Sequence, residues 1–309
     1  MVSNNTTQSD RFLFKNGYDI PVYGLVKGTF YYIHIPAIVC IAASLVCALA
    51  TIILSFKNRR AGEFFPKWSK GQRLVVYIST CDGLFSFTHL LDHLQILFTM
   101  DHVRPKVLCA FYGFIMTVFV VAQILIANVV AINVFVMMFL NKNISFGKFD
   151  CGLLIWAFVV PFLGATVAAA YDQFGPMGIA CFYDAVNGHV ANMVFTTIPM
   201  PVILVVNIVL YILTFIKIRS YGKVIVPNAI TIGRHVKAAT RMSMFVLAFV
   251  VQWWCFGLYW VWVLFVDSPL EIPGYLSYFG TTFTNLGGVL NLVVYLKMFR
   301  NTNRTVPIS

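Results

Sequence analysis

Four ionisable side chains lie within one apolar stretch of the sequence, residues 74–99, and they are the groups best suited to chemistry. Asp82 and Asp92 are the acidic residues of this stretch, and His89 and His93 are its histidines. An ionisable group in such a segment is unfavourable unless it faces water or other protein groups, so it is a candidate for function. Asp82 is the strongest candidate, because its charge requires water or a partner.

The polar residues around Asp82 are spaced as on one face of a helix. They follow intervals of three or four residues: Ser79, Asp82, Ser86, His89 and His93. Such intervals place side chains on the same side of an α-helix. We therefore expect this face to point into a protein interior. For serine and threonine, the alternative is that they only hydrogen-bond neighbouring helices.

His89 and His93 are one helical turn apart, which is a spacing that can hold a metal ion. A metal-dependent hydrolase would need a third converging ligand and an open position. Asp92 could begin such a set, but the other apolar segments offer only His34. We therefore predict no metal and no cofactor, and we interpret the pair as hydrogen-bonded or interface histidines. The hydrolase is kept as an alternative.

Two further apolar segments carry polar residues at helical intervals. In residues 276–296 these are Ser277, Thr281, Thr284, Gly288, Asn291 and Tyr295, and in residues 107–140 they are Tyr112, Gln123 and Asn133. We expect the three polar faces to surround one water-filled cavity. It would open outward near His93 and Tyr278 and narrow toward Asp82 and Asn291.

Aromatic side chains are dense in residues 242–266. They follow Gln252 as Trp253, Trp254, Tyr259, Trp260 and Trp262. Aromatics at this density pack a helix bundle or wall a ligand pocket, and those near a membrane surface can also belong to an interfacial belt. All three interpretations stay open on the sequence alone.

The composition indicates that lipid surrounds most of the chain. Of its 309 residues, 60% are hydrophobic and 11% are charged, and the mean hydropathy is +0.82; soluble domains carry about 25% charged residues. Seven stretches have the ~20 apolar residues that a helix needs to cross a bilayer. They are 32–56, 74–99, 107–140, 151–171, 193–216, 242–266 and 276–296. These stretches, named spans 1 to 7, predict an all-α membrane protein with a seven-transmembrane helix bundle, and neither an internal repeat nor a broken helix is evident.

The distribution of positive charge predicts the orientation of the bundle. Seventeen of the 22 Lys and Arg residues fall on one side and five on the other. The basic side comprises 57–73, 141–150, 217–241 and 297–309. Because cytosolic loops carry the excess of Lys and Arg, the predicted topology is N-out/C-in. The extracellular tail is then 1–30, the bundle 31–296 and the cytoplasmic tail 297–309. A nucleic-acid partner is not expected, because the +11 net charge is spread over several loops.

The predicted outer side carries two kinds of covalent site. Of the seven cysteines, only Cys109 and Cys181 would face the oxidising compartment. We predict a disulfide that ties the second outer loop to the start of span 3, with two unpaired thiols as the alternative. Asn4 and Asn5 begin overlapping Asn-x-Thr sequences, which predict glycosylation of the outer tail.

Seven spans, the N-out topology, the cysteine pair and the basic loops together resemble a G-protein-coupled receptor. The motifs of rhodopsin-like receptors are incomplete. Residues 139–141 are Phe-Leu-Asn in place of Asp-Arg-Tyr, and span 6 lacks the proline of Cys-Trp-x-Pro. The segment from Asn291 to Tyr295 keeps the spacing of Asn-Pro-x-x-Tyr without its proline. Asp82 is similar to the span 2 aspartate that several receptor classes share.

Other segments resemble the cyclic-AMP-receptor family of slime moulds and its animal and fungal relatives. One is Trp156 followed by Pro161 in span 4, and another is the loop Gly-Pro-Met-Gly-Ile-Ala-Cys at residues 175–181. A third is span 7, where Gly-Thr-Thr-Phe at residues 280–283 precedes two glycines and Asn291. The resemblance covers most of residues 30–300.

The resemblance implies a plasma-membrane receptor, not an enzyme, in which an extracellular ligand moves helices and activates a heterotrimeric G protein. Candidate ligand-binding or polar-core residues are Asp82, Ser86, His89, His93, Tyr112, Gln123, Tyr259, Tyr278, Thr281 and Asn285. Candidate switch residues are Asp82, Trp253, Trp254, Asn291 and Tyr295. Cyclic AMP itself is not expected, because outer loops 2 and 3 have no Arg or Lys to bind a phosphate. A neutral, amphipathic or cationic ligand is expected instead.

A light sensor and a transporter or channel are two further classes of membrane protein with several helical spans. A retinal-based light sensor needs a Lys in span 7 for a Schiff base, and residues 276–296 contain none. A transporter or channel often shows internal repeats or broken helices, so the apparent absence of both favours the receptor.

Overall fold

The computed structural model describes residues 14–57, 59–221, 229–263, 265 and 274–299. The predicted spans are helical, and most extend beyond their apolar stretches. Spans 1 to 6 are Phe30–Phe56, Lys70–Thr99, Lys106–Phe139, Lys148–Ala170, His189–Ser220 and Ala229–Val263. Span 7 is a pair of helices, Gly274–Thr284 and Gly287–Phe299. Six of the described helices are long and apolar enough to cross a membrane, and the bent pair makes a seventh crossing when counted as one span. The all-α, seven-helix bundle is confirmed.

Spans 4 and 5 each contain a wide π-helical turn next to a proline. The turn Ile155–Val159 comes before Pro161, and the turn Met193–Thr197 comes before Pro199. A proline has no N–H to donate, and its ring crowds the carbonyl one turn earlier. The wider turns relieve this crowding, so both helices continue past the proline.

Span 7 is not the single helix that the sequence predicts, because its two halves meet at a bend of 43°. Two glycines follow the break. A Cβ atom on Gly287 would lie 2.3 Å from Asp82 Oδ1, and one on Gly288 would lie 2.1 Å from the carbonyl oxygen of Ser44. The absence of side chains thus lets the backbone after the break press against spans 1 and 2.

One end of the bundle is covered by a structure that we name the cap, which comprises residues 14–29 and a β-hairpin. The hairpin pairs β1 (Phe174–Pro176) with β2 (Cys181–Tyr183) in antiparallel register, and it was not predicted. The predicted disulfide between Cys109 and Cys181 is confirmed and fixes the hairpin to span 3. A Cβ atom on Gly113 would lie 2.6 Å from the carbonyl oxygen of Phe182, so span 3 approaches the hairpin closely.

At the opposite end, an ion pair joins span 2 to the segment before span 4. Arg73 donates to both carboxylate oxygens of Asp150, at 2.5 and 2.8 Å, and the Tyr77 hydroxyl donates at 3.1 Å. Phe149 and Asp150 both have a φ of 57°, in the left-handed region that non-glycine residues seldom adopt. The bidentate ion pair holds this turn in place.

Apolar side chains pack in two main clusters along the bundle. One lies near the cap and includes Met116, Trp253 and Trp260; the other lies near the opposite end and includes Leu74 and Phe245. The polar groups described below lie between helices that these clusters hold together.

Candidate functional site

A cavity lies between the cap and spans 2, 3, 6 and 7. Its walls are Phe85, His89, Met116, Val120, Met177, Ile179, Ala180, Cys181, Phe182, Trp253, Phe256, Tyr259, Trp260, Ser277, Thr281, Thr284 and Asn285. The space that they enclose, with open solvent at its edge included, is about 680 Å³. Ligand pockets in proteins are lined mainly by apolar side chains with a few polar groups. The lining of this cavity is of that kind.

The roof of the cavity is held by both covalent and polar contacts. Besides its disulfide, Cys181 donates its backbone N–H to Asp92 Oδ2 at 3.0 Å. Asp92 is fully buried, and its other oxygen has no hydrogen-bond partner among the described residues. Asp92 was singled out in the sequence together with Asp82, but its partner is the hairpin backbone rather than the bundle core.

The rest of the cap is fastened through Asp184, just after the hairpin. Its carboxylate accepts from the backbone N–H of Gly17 at 2.9 and 3.0 Å, and from those of Val186 and Asn187 at 2.9 Å each. Tyr18 donates its hydroxyl to the carbonyl of Val103 at 3.0 Å. Burial raises the pKa of Tyr18 to about 12, so this hydroxyl stays a donor at physiological pH.

Three histidines and an asparagine form a continuous hydrogen-bonded chain beside the cavity. His34 Nδ1 lies 2.9 Å from His93 Nδ1. His93 Nε2 lies 3.0 Å from His89 Nε2. His89 Nδ1 lies 3.0 Å from Asn285 Oδ1, and all four side chains are buried. The chain connects spans 1, 2 and 7.

Asn285 sets the direction of the hydrogen bonds in this chain. Its Nδ2 donates to the carbonyl of Thr281 at 2.7 Å, so its Oδ1 is the atom that accepts from His89. A neutral imidazole has one donor and one acceptor nitrogen, so His89 Nε2 accepts from His93. His93 Nδ1 then accepts from His34. His34 Nε2 is left as a buried acceptor without a partner among the described residues.

A second polar cluster converges on Asp82. Its carboxylate accepts from Gln123 Nε2 of span 3 and from Asn291 Nδ2 of span 7. Gln252 Nε2 of span 6 lies 3.4 Å from Gln123 Oε1 and donates at 3.0 Å to the carbonyl of Thr284. Spans 2, 3 and 7 therefore meet at one carboxylate, and Gln252 joins span 6 to them through Gln123 and Thr284.

Serine side chains extend the contact from span 2 to span 1. Ser86 Oγ donates to Ser44 Oγ at 3.3 Å, and the backbone N–H of Gly288 donates to the same oxygen at 2.8 Å. Gly288 lies just after the break in span 7. The backbone groups that the break releases are thus satisfied by side chains from neighbouring helices.

Thr284 connects the cavity with the Asp82 cluster. Its side chain belongs to the cavity wall, whereas its carbonyl accepts the hydrogen bond from Gln252. Trp253, the residue after Gln252, also lines the cavity and is stacked on Trp260 with ring centroids 6.0 Å apart. A molecule in the cavity would therefore contact Thr284, which one hydrogen bond joins to Gln252 of the Asp82 cluster.

The structure brings four of the ten predicted ligand-site residues together in the cavity wall. His89, Tyr259, Thr281 and Asn285 line the cavity, and so does Trp253 from the predicted switch set. Ser86, His93, Gln123 and Asn291 are buried in the two polar networks instead. The polar faces of spans 2, 3 and 7 point inward, as their spacing predicts.

Four predicted residues lie elsewhere. Tyr278 is 37% exposed and Trp254 is 41% exposed, and neither is in the cavity wall. Tyr112 is buried in the apolar cluster near the cap. Tyr295 lines a small cleft at the opposite end of the bundle with Ser55, Arg59, Trp68 and Gln72.

The lining differs from the predicted one. Among the described residues, neither His93 nor Tyr278 lines the cavity, and at its deep end Trp253 and Thr284 line it whereas Asp82 does not. The hairpin and the Trp253 ring limit it at its two ends. Sequence spacing shows that polar faces point inward, but it does not show how far the space between them extends.

Three contributors were missed or undervalued in the sequence. Ser44 follows His34 by ten residues and precedes Thr51 and Ser55 by seven and eleven, so these polar residues share one buried face of span 1, and that spacing could have identified it. His34 was considered only as a metal ligand, and Gln252 only as the start of an aromatic run. A buried glutamine in an apolar span has two donors and two acceptors to satisfy, and that requirement could have identified Gln252.

The histidines are linked in a chain rather than directed at one point. Within the described part of the chain, no group of three His, Cys, Asp or Glu side chains is placed to hold a metal ion. The His89, Asp92 and His93 set that a hydrolase would use is divided, because Asp92 contacts the cap and the two histidines contact each other.

One comparison with known proteins bears on the fold. No family model matches the sequence, and neither does any curated protein. Among solved structures the fold is similar to that of a rhodopsin. The crystal structure of squid rhodopsin is similar to this chain with a TM-score of 0.63, covering 90% of this chain and 85% of that chain at 16% sequence identity. At this identity the similarity shows the fold alone.

Proposed function

We propose that this chain is a G-protein-coupled receptor of the plasma membrane, which binds an extracellular ligand in the cavity and activates a heterotrimeric G protein. The rhodopsin-like fold supports the receptor class. Membership of the cyclic-AMP-receptor family stays a prediction that rests on the sequence segments alone.

The observation that carries the proposal is the position of Thr284. This residue lines the cavity and accepts at its carbonyl from Gln252, which contacts the Asp82 cluster. Thr284 is also the last residue of the first half of span 7, so it lies at the 43° break. A ligand that moves Thr284 alters a hydrogen bond between spans 6 and 7. A contact that differs between the ligand-free and the ligand-bound state is what a ligand-driven helix movement requires.

The test is nucleotide exchange on a panel of purified G proteins with the full chain in lipid nanodiscs. We expect exchange above the receptor-free level, either constitutively or with members of a ligand library. Gln252→Ala should reduce the ligand-dependent part, because it removes the bond to Thr284. Leu258→Ala changes an exposed residue of the same helix and serves as the control.

Two outcomes would count against this proposal in different ways. Wild-type protein that never promotes exchange would reject the receptor function. Exchange that is normal in Gln252→Ala would keep the receptor function but reject the route through Thr284.

The N-out/C-in topology and the tails are part of the same proposal. Asn4, Asn5 and residues 300–309 lie outside the described residues. An epitope fused to Ser309 should be accessible only in permeabilised cells. Glycosidase should lower the apparent mass of the wild-type chain, but not that of a variant with Asn4→Gln and Asn5→Gln.

The break in span 7 favours a second candidate, a membrane transporter or channel. Discontinuous helices often form substrate sites in transporters, where the released backbone groups bind the solute. Here the carbonyl of Thr284 and the N–H of Gly288 are already taken by Gln252 and Ser44. This occupancy supports the receptor more than the transporter. Solute flux into reconstituted vesicles would favour the transporter or channel over the receptor.

A further inference from the structure

The apolar part of the cavity wall is large and made of side chains that fit rings. Six aromatic residues contribute to it: Phe85, Phe182, Trp253, Phe256, Tyr259 and Trp260. Met116 and Met177 add flexible apolar surface on opposite sides, one from span 3 and one from the cap. Aromatic walls favour stacked or edge-to-face contacts with a flat molecule, and methionine adapts to its outline.

Among the residues that the structure describes, no Asp, Glu, Lys or Arg side chain lines the cavity, so a charged ligand would find no counter-charge in this part of its wall. Asp92 is the nearest alternative through its contact with the roof residue Cys181, but it is buried and does not belong to the wall. An unpaired charge is highly unfavourable in an apolar site. The described part of the wall therefore selects against ions of either sign.

His89 is the titratable imidazole of the wall, and both of its ring nitrogens are engaged. Nδ1 donates to Asn285 and Nε2 accepts from His93. In the neutral tautomer pattern derived above, His89 has neither a free donor nor a free acceptor for a ligand. The polar contact to a ligand must come from other residues of the wall.

Two wall residues at the deep end of the cavity have unused hydrogen-bonding atoms. Trp253 Nε1 and Thr284 Oγ1 are both buried, and neither has a partner among the described residues. An indole N–H is a donor only, so its complement is an acceptor. Both atoms are covered in the present arrangement, so a small shift of the Trp253 ring is needed before a ligand oxygen reaches them.

We propose that the cavity binds an uncharged, mainly apolar molecule with a flat ring system and one acceptor oxygen directed toward Trp253 and Thr284. The inference rests on the proposed function only in that it uses the same cavity. It narrows the ligand class expected from the sequence, because it removes cations from the expected set.

Four naphthalene probes of similar size test this proposal. Methyl naphthyl ketone has an acceptor, isopropenylnaphthalene replaces the oxygen with carbon, naphthylmethylammonium is a cation and naphthoate is an anion. Binding is measured by equilibrium dialysis against the full chain in nanodiscs, with uptake by empty nanodiscs subtracted. No G protein is present, so failure of G-protein coupling does not affect the result.

We expect the ketone to bind at least about tenfold more tightly than either ion, because an unpaired charge is excluded from the wall. The ketone should exceed the isopropenyl probe by about fivefold, which is a typical effect of one hydrogen bond. Val120→Phe fills part of the cavity and should abolish binding. Val202→Phe adds the same ring to an exposed position of span 5 and should leave binding unchanged.

Trp253→Phe tests the acceptor contact without depending on overall affinity. It removes the N–H and keeps an aromatic ring, so the ratio between the ketone and isopropenyl probes should fall toward one. Trp254→Phe makes the same change at a half-exposed neighbour and should preserve the ratio. An unchanged ratio in Trp253→Phe would refute the acceptor contact.

Two other results would overturn the ligand class itself. Tighter binding of the ammonium probe than of the ketone would show that the site recognises a cation and would refute the uncharged ligand class. No difference between wild type and Val120→Phe for any probe would show that the cavity does not bind such molecules, whether or not the chain couples to a G protein.

Discussion

The two polar networks inside the bundle are built on different plans. The histidine network is linear, and it runs from Asn285 through His89 and His93 to His34, with each imidazole bonded only to its neighbours in the network. The Asp82 network is convergent, because one carboxylate accepts from side chains of two other spans. The first lies beside the cavity, whereas the second lies beyond it at the break in span 7.

The linear and the convergent arrangement predict different responses to substitution. In the linear network each donor fixes the tautomer of the next imidazole, and the last nitrogen, His34 Nε2, already lacks a partner. In the convergent network one acceptor satisfies two donors, so its loss leaves both unpaired. We therefore expect large effects at the Asp82 network and effects that decline along the chain toward His34.

The largest effect is expected for Gly288→Ala, beside the Asp82 network. The new Cβ would lie 2.1 Å from the carbonyl oxygen of Ser44, and this backbone atom cannot move aside as a flexible side chain can. We expect a loss of about 3 kcal/mol in the free energy of unfolding. It would be measured as a lower thermal midpoint of the purified protein. Gly62→Ala is the control, because no atom lies within 4 Å of its new Cβ. Equal midpoints for the two variants would show that span 7 does not press against span 1.

Asp82→Asn should have the next largest effect. The amide keeps one acceptor oxygen but presents an N–H to the second donor, so either Gln123 or Asn291 loses its bond. A buried unpaired donor costs about 2 kcal/mol. We expect this loss in stability and an altered rate of nucleotide exchange, while surface expression stays near normal. Asp172→Asn makes the same change at an exposed position. If signalling were unchanged, Asp82 would serve only to hold helices together.

Asn285→Ala should have a smaller effect, at the start of the histidine chain. It leaves the Nδ1 hydrogen of His89 without an acceptor, and we expect a loss of about 1 kcal/mol. Nitrogen NMR of labelled histidines should show that His89 changes its tautomer or loses its hydrogen bond. Asn143→Ala, at an exposed asparagine, should change neither the stability nor these spectra. An unperturbed His89 signal in Asn285→Ala would contradict the assigned direction of the hydrogen bonds between the histidines.

The smallest effect is expected for His34→Phe, at the other end of that chain. The substitution removes a buried nitrogen without a partner and leaves one acceptor on His93 unpaired, so the two changes largely cancel. We expect the free energy of unfolding to change by less than about 0.5 kcal/mol. His93→Phe, in the middle of the histidine network, removes the hydrogen bonds to both His34 and His89. Its free energy of unfolding is the value to compare with that of His34→Phe. A His34→Phe variant as unstable as His93→Phe would contradict the linear arrangement.

The bundle and its inward faces could be predicted from the sequence, because helical periodicity alone fixes them. Ser79, Asp82, Ser86, His89 and His93 must share a face on any regular helix, whatever it packs against. The disulfide between Cys109 and Cys181 followed from the same predicted topology.

What could not be predicted depends on contacts between helices. Trp253 and Trp254 are neighbours about 100° apart on a helix, so only one faces the cavity, and the sequence does not say which. The two glycines of span 7 reveal a break only when Ser44 and Asp82 are seen beside them. Tyr278 lies at the edge of the polar face of span 7. A small rotation of the helix there determines whether its side chain faces the cavity or the exterior of the bundle.

The cap has a consequence for the speed of ligand exchange. Asp184 gathers backbone N–H groups from the N-terminal segment and from its own loop, while Asp92 and a disulfide hold the hairpin. A molecule that enters from water beside the hairpin must therefore pass a fixed roof rather than a mobile loop. Entry and exit past a fixed structure are slower than free diffusion. We therefore expect slow ligand exchange, measurable as slow washout.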